Sequence, residues 1–146
     1  GVTKWHEELQ KHAVMKKHIR LPSGRQYAFP QARWTDWGTA TDRTAICNYP
    51  VQGFATADLL PMSLILLDRK VRELGMKSVI CNTVHDSIVM DVYPSEEKQC
   101  IDVMAECMLA IPMESKERYG IEYNMPVGIE LKIGKNWLDL EEVLTV

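Results

Sequence analysis

Two short stretches carry the residue types that do chemistry. In SVICNTVHDSIVMDVY, residues 78–93, two runs rich in Val, Ile, Thr and Tyr flank His85, Asp86 and Ser87. That composition predicts antiparallel strands over 77–84 and 87–93, joined by a two-residue loop of His85 and Asp86. Tight hairpin loops favour Asn-Gly, Asp-Gly or other glycine-containing pairs, because their backbone needs positive φ. His-Asp answers no such need, and a sequence that ignores a local rule at one point is often placing function there. An ordinary polar turn and a carboxylate held for chemistry both stay open on these residues alone. The second stretch is NYPVQGFATAD, residues 48–58. Its amides, Asn48 and Gln52, both donate and accept, which suits the acceptor-rich minor groove of a duplex held without reading its sequence. The alternative is that Asn48 caps a helix and Gln52 lies on the surface.

Other chemistries fail on spacing. HEELQ begins like the zinc-protease HExxH motif, but Gln10 stands where the second histidine is needed. His6, His12 and His18 are six residues apart, which turns each about 240° around a helix from the last. They cannot share a metal on one face. The sequence has no glycine-rich phosphate loop and no GxSxG.

The elements that position these residues follow from periodicity. Val2, Trp5, Leu9 and Ala13 recur at helical spacing. Ser23-Gly24 reads as a hairpin turn before Arg25, Tyr27 and Phe29 in a short strand. QARWTDWGTATDRT reads as a loop entering a helix near Thr39 to Cys47, which Pro50 is expected to end. Leu60, Leu64, Leu67, Val71 and Leu74 mark a helix over 56–74, with Pro61 in its first turn and Gly75 closing it. After the His-Asp hairpin, Pro94-Ser95-Glu96-Glu97 starts a helix running to about Ala110 that buries Cys100, Met104, Cys107 and Met108. A last strand alternates Val127, Ile129, Leu131 and Ile133, and KNWLDLEEVL follows. The fold class is α+β, with helices packed on one side of an antiparallel sheet.

The whole chain bounds the reading. At 146 residues it holds one domain's worth of sequence, and 46% apolar with 25% charged residues is ordinary for a globular protein. The longest apolar run, around LLPMSLILL, is far short of the roughly 20 residues of a membrane span, and the N-terminus is not a signal peptide. Cys47, Cys81, Cys100 and Cys107 form no CxxC pair and read as reduced core residues of a cytoplasmic protein. Charge is uneven. Residues 1–33 hold seven Lys/Arg against two Asp/Glu, whereas residues 73–146 hold six against fourteen. A basic N-terminal third can track phosphates or can be a solvated helix face.

Taken in order, NYPVQGFATAD, TVHDSIVMDV and MPVGIELKIGKNW resemble the C-terminal part of a family A DNA polymerase, the family of bacterial DNA polymerase I, in a phage-like version. The resemblance runs from GVTKWHEEL through LPSGRQYAFP to GKNW, essentially the whole chain. It implies one segment, residues 1–146, forming part of an incomplete polymerase domain, a palm-type antiparallel sheet with adjoining fingers segments. It implies that Asp86 in Val84-His85-Asp86-Ser87 binds two catalytic Mg²⁺ ions and that His85 lies near the primer terminus. Asn48 and Gln52 match amides that contact the primer–template minor groove. Arg43 and Arg25 are further candidates for DNA contact.

The sequence departs from the family in three ways. Ser87 stands where many members have glutamate, and is left to order a coordinated water. Arg43 lies five residues before Asn48, where the family's arginine lies three or four before. The segments carrying the first catalytic aspartate and the nucleotide-binding helix lie outside this sequence. Mg²⁺ takes one or two protein carboxylates, so a lone Asp86 cannot hold both ions. Asp91 is an odd number of residues away along a strand and about 16 Å off, while Asp36, Asp42 and Asp58 sit in no matching motif. The expectation is therefore a fragment or subunit of a split DNA polymerase. It acts on primer–template DNA and deoxynucleoside triphosphates in the cytoplasm once paired with a complementary polymerase chain. The competing reading is a non-catalytic module that grips DNA or supports a partner, and a stand-alone nuclease is disfavoured because the acidic residues do not cluster.

Overall fold

Helical spacing at the N-terminus becomes α1, Val2–Lys16, which Lys17 ends in the left-handed region at φ 63°. The computed structural model describes residues 1–146, in two units, Gly1–Asp58 and Leu59–Val146. In the first unit α1 is followed by β1, His18–Arg20, and β2, Gln26–Ala28, an antiparallel hairpin pairing Ile19 with Tyr27. Its turn falls at Ser23-Gly24 as the sequence predicts, with Gly24 at φ 89°, a value a residue with a Cβ rarely adopts. The core is Ala13, Ile19, Phe29, Ala32, Ala40 and Ile46. The predicted apolar stripe of α1 is only partly buried. Ala13 is enclosed, Val2 is 68% exposed, and Gln10 takes a core position instead.

The larger correction concerns Pro50. It lies inside α2, Arg43–Phe54, which continues through a π-helical turn, Ala55–Leu59, towards α3, Leu60–Glu73. An interior proline costs about 3 kcal/mol through its missing N–H and its clash one turn back. Packing of the helix onto the hairpin offsets that cost. Tyr49 lies against Tyr27 at 5.1 Å and Phe29 at 6.0 Å between ring centroids. Gly53 leaves room for the Tyr27 hydroxyl, which a Cβ would overlap. Asp58, buried in the π-helical turn, accepts from Ser23 Oγ at 2.6 Å and from Arg25 Nε at 2.9 Å, while Arg25 Nη2 donates to Ala57 O at 3.0 Å. The helical run Arg43–Glu73 is long and apolar enough, by length and composition, to cross a membrane, which the apolar run length alone did not anticipate. Its buried residues belong to protein cores, Ile46 in the first unit and Leu60 and Leu67 in the second.

In the second unit α3 precedes the predicted hairpin, β3, Val79–Val84, and β4, Ser87–Asp91. A short 3₁₀ turn, Pro94–Glu96, leads into α4, Glu97–Leu109. Leu60 and Leu67 of α3, Val103 and Cys107 of α4 and Ile88 of β4 form the core, with Ile80 and Met90 packed against it. The two helices thus cover one face of the hairpin. Cys100 and Cys107 are buried as predicted, whereas Cys81 is exposed and Cys47 half-buried.

Two elements go beyond the sequence reading: α5, Ile111–Tyr119, and β6, Glu141–Thr145. β6 pairs antiparallel with β5, Glu130–Ile133, whose Leu131 and preceding Ile129 are buried. The strands form three separate two-stranded sheets rather than one, because each hairpin closes on its own partner and none extends another.

The base of the β3–β4 hairpin is locked to the start of α4. The Glu96 carboxylate accepts the Lys77 N–H at 2.9 and 3.0 Å, the Ser78 N–H at 2.9 Å and the Ser78 hydroxyl at 2.7 Å. Ser78 Oγ in turn accepts the Tyr93 N–H at 2.9 Å from the other strand's end. These donors hold the Glu96 carboxyl below the usual glutamate range, with the Lys77 amide the largest cause.

Two outcomes follow. Leu67→Ala, at a side chain 1% exposed, will cost about 3 kcal/mol in urea unfolding. Because the folded pKa of Glu96 is depressed, its stabilisation is present above the ordinary glutamate value of 4.5 and is lost as pH falls through the lowered folded one. Glu96→Gln will therefore melt below the parent protein at neutral pH, and the gap in Tm will close on acidification. A gap independent of pH would show that the carboxylate's charge is not what matters.

Candidate active site at the β3–β4 hairpin tip

The pairing register decides which residues occupy the tip. Val79 pairs with Asp91 and Ile80 with Met90, and after an irregularity at Cys81 the pairs are Asn82 with Val89, Thr83 with Ile88 and Val84 with Ser87. Continued without that bulge, the first register would pair Thr83 with Ser87 and leave a three-residue loop. The extra residue shifts the register by one and leaves His85 and Asp86 alone between the strands. His85 takes φ 54°, and Asp86 is not among the positive-φ residues. Positive φ at the first central position only is the pattern of a type II′ turn, where glycine is the usual occupant. A non-glycine residue held there costs of order 1–2 kcal/mol. Ser87 Oγ donates to Val84 O across the loop at 2.8 Å and braces it.

His85, Asp86 and Ser87 are all exposed. None of the structure's ion pairs uses Asp86. Asp91 lies at the hairpin's other end, opposite Val79, so the two carboxylates are separated by the length of β4. No group of three or more His, Cys, Asp or Glu side chains is placed to hold a metal ion. As a donor set, one exposed carboxylate matches the share that a single residue gives to Mg²⁺. It does not supply the carboxylates for two ions.

In the first unit, the continuity of α2 through Pro50 is what brings the two amides together. Asn48 and Gln52 are four residues apart, so they lie on one face one turn apart, and both are exposed. Capping by Asn48 is ruled out, because Asp42 is the N-cap and Asn48 stands in mid-helix. Arg43 lies about 140° around the helix from Asn48, on the face of Cys47. There its charge opposes the burial that pushes the Cys47 thiol up. Arg25 is engaged with Asp58 and Ala57, so its guanidinium braces the fold. Within the second unit the structure groups His85, Asp86 and Ser87 at one tip; within the first it puts Asn48 with Gln52 on one helix face, Arg43 on the Cys47 face and Arg25 against Asp58.

Sequence reasoning missed the Glu96–Ser78 lock. Glu96 reads as an acidic residue complementing a helix dipole, and its partners are 18 and 19 residues away, beyond any local pattern. A shallow depression lined by Pro112, Met113, Lys116, Ile121, Glu122 and Tyr123 contains none of the candidate residues.

Comparison with known proteins gives the family and the fold. The sequence model of DNA polymerase family A matches residues 1–139. The chain is 33% identical to the DNA polymerase of Bacillus phage SP01 over 97% of its own length and 15% of that protein's. It is 30% identical to DNA polymerase I of Lactococcus lactis subsp. cremoris over 95% of its length, again 15% of the relative. The fold matches the POL domain of Pol1 from M. smegmatis, solved in complex with DNA primer-template and dNTP. The TM-score is 0.66 at 22% identity, covering 75% of this chain and 19% of that one. The chain therefore spans about 15% of the length of these curated relatives, and it belongs to DNA polymerase family A.

Proposed function

We propose that this chain supplies the carboxyl-side part of a template-directed DNA polymerase site. It does so as the C-terminal segment, or as one subunit, of an enzyme whose other catalytic residues lie outside this sequence. The observation that carries the proposal is Asp86, exposed and unpaired in the tightest loop the hairpin can make, beside a histidine held at positive φ. Strain kept at an exposed polar tip points to function rather than to packing. Family membership supports reading that tip as part of a polymerase site.

In this reading Asp86 contributes one carboxylate towards a pair of Mg²⁺ ions, and the complementary chain contributes the rest. Such ions, when bound, activate the attacking 3′ oxygen and stabilise the leaving group. Asn48 and Gln52 hold primer–template DNA through their exposed amides, His85 lies by the primer terminus, and Ser87 keeps the turn closed. Arg43 and Arg25 remain further candidates for contact with the DNA backbone. Deoxynucleoside triphosphates are the substrates, and the place of action is the cytoplasm, the host's if the gene is viral.

A second reading, a non-catalytic support or DNA grip, is favoured by one observation: the tip offers a single carboxylate, with serine at position 87. Primer extension separates the two. The 146-residue chain alone will not extend a primer, and adding the complementary polymerase chain will restore extension. Asp86→Ala in that complex will reduce kcat by about a thousandfold or more, as loss of several kcal/mol of charge stabilisation requires. A support would lose little. Asn48→Ala and Gln52→Ala will each raise the KM for primer–template about three- to tenfold, the worth of one hydrogen bond, with a smaller change in kcat. Extension by the chain alone would sink the split reading.

A further inference from the structure

The loop between β2 and α2 is braced far more heavily than a surface connection needs. Its two feet, Ala32 and Ala40, are 0% and 3% exposed. Lys17 Nζ donates to Ala32 O at 2.5 Å. The buried Gln10 accepts the Ala40 N–H through Oε1 at 3.0 Å, and its Nε2 donates to His6 O at 3.2 Å. Between the feet, Trp34 bridges to Ala40, and Thr35 accepts the Gly38 N–H at 3.0 Å while both its N–H and its hydroxyl donate to Thr39 O at 2.8 Å. Gly38 closes the turn at φ 72°. This rigid prong nevertheless presents its two tryptophans to solvent, Trp34 at 48% and Trp37 at 91% exposure. A tryptophan ordinarily gains its place by burying its large ring, and here the scaffold is spent on holding one out.

We propose that the Trp34/Trp37 prong is a stacking platform for the unpaired bases of single-stranded DNA. A planar ring among small polar residues, Thr35, Asp36 and Thr39, lacks the apolar surround that excludes water from a protein hot spot. Base stacking needs only a flat exposed face. Lys17, whose Nζ reaches Ala32 O at the foot of the prong, and Arg33, next to Trp34 in the chain, supply attraction for the backbone. The Asp36 carboxylate beside Trp37 repels phosphate, so the ring meets a base. Rigidity lowers the ordering cost of binding. The proposal rests on the polymerase reading only in taking DNA as the nucleic acid.

The test is binding by the full chain, with no catalysis involved. A dye-labelled oligodeoxythymidylate of about a dozen nucleotides, within the span single-strand sites cover, is titrated and followed by anisotropy and by quenching of tryptophan emission. The parent protein will bind it with affinity that falls as salt rises. Trp37→Ala will bind about tenfold more weakly, the loss of one stacked base, while Trp37→Phe keeps most of the affinity. Circular dichroism of both variants will match the parent, since the ring is 91% exposed. Asp86→Ala will leave this binding unchanged, so a failure here is distinct from a failure of the catalytic reading. No binding by the parent, or equal affinity in Trp37→Ala, would overturn the proposal. So would a Trp37→Ala protein that keeps its oligonucleotide affinity but no longer assembles with the complementary polymerase chain, because the prong would then be a protein contact.

Discussion

Burial of one face of the β3–β4 hairpin against α3 and α4 is the constraint on which the candidate site depends. Ile80, Met90 and Ile88 must face Leu60, Leu67, Val103 and Cys107, and a slip of β4 by one residue against β3 would turn Ile88 and Met90 towards solvent. The bulge at Cys81 lets the strands keep that apolar face while advancing the register by one beyond it. The result is a two-residue loop that contains His85 and Asp86 and nothing else. The hydrophobic effect at the base of the hairpin thereby chooses which side chains stand at its tip, and the Glu96–Ser78 lock ties that base to α4.

Energy is distributed unevenly between base and tip. The base is satisfied in every polar group that the lock engages, and Ser78 is 1% exposed. The tip carries positive φ on a histidine and a carboxylate that takes part in none of the ion pairs. A structure that concentrates its stabilising contacts at one end can keep an unfavourable turn at the other. Such an arrangement fixes an exposed side chain at the tip in one place.

The first unit makes a parallel point through α2. Asn48 and Gln52 share a face only because the helix runs through Pro50, and the helix runs through Pro50 because Tyr27, Phe29 and Tyr49 pack the hairpin onto it. Local chemistry at the proline argues for a break, and tertiary packing overrides it. The same packing explains a glycine in a helix interior, since Gly53 makes room for Tyr27.

Much of this protein was legible in its sequence. Runs rich in β-branched and aromatic residues located β3, β4 and the two-residue loop, period-two alternation located β5, helical spacing located α1, α3 and α4, and three ordered motifs pointed to the polymerase family. These signals are local, carried by neighbours in the chain whose side chains share a face. What sequence could not provide are the features set by partners far apart. The course of α2 through Pro50, the pairing of β6 with β5, the core position of Gln10 and the reach of Glu96 back to Ser78 all depend on contacts across turns and loops. Residue types and order determined what chemistry Asp86, Asn48 and Gln52 can do. Only the tertiary structure decided which of them stand together, because a side chain's position depends on the burial of residues that are not its neighbours in sequence.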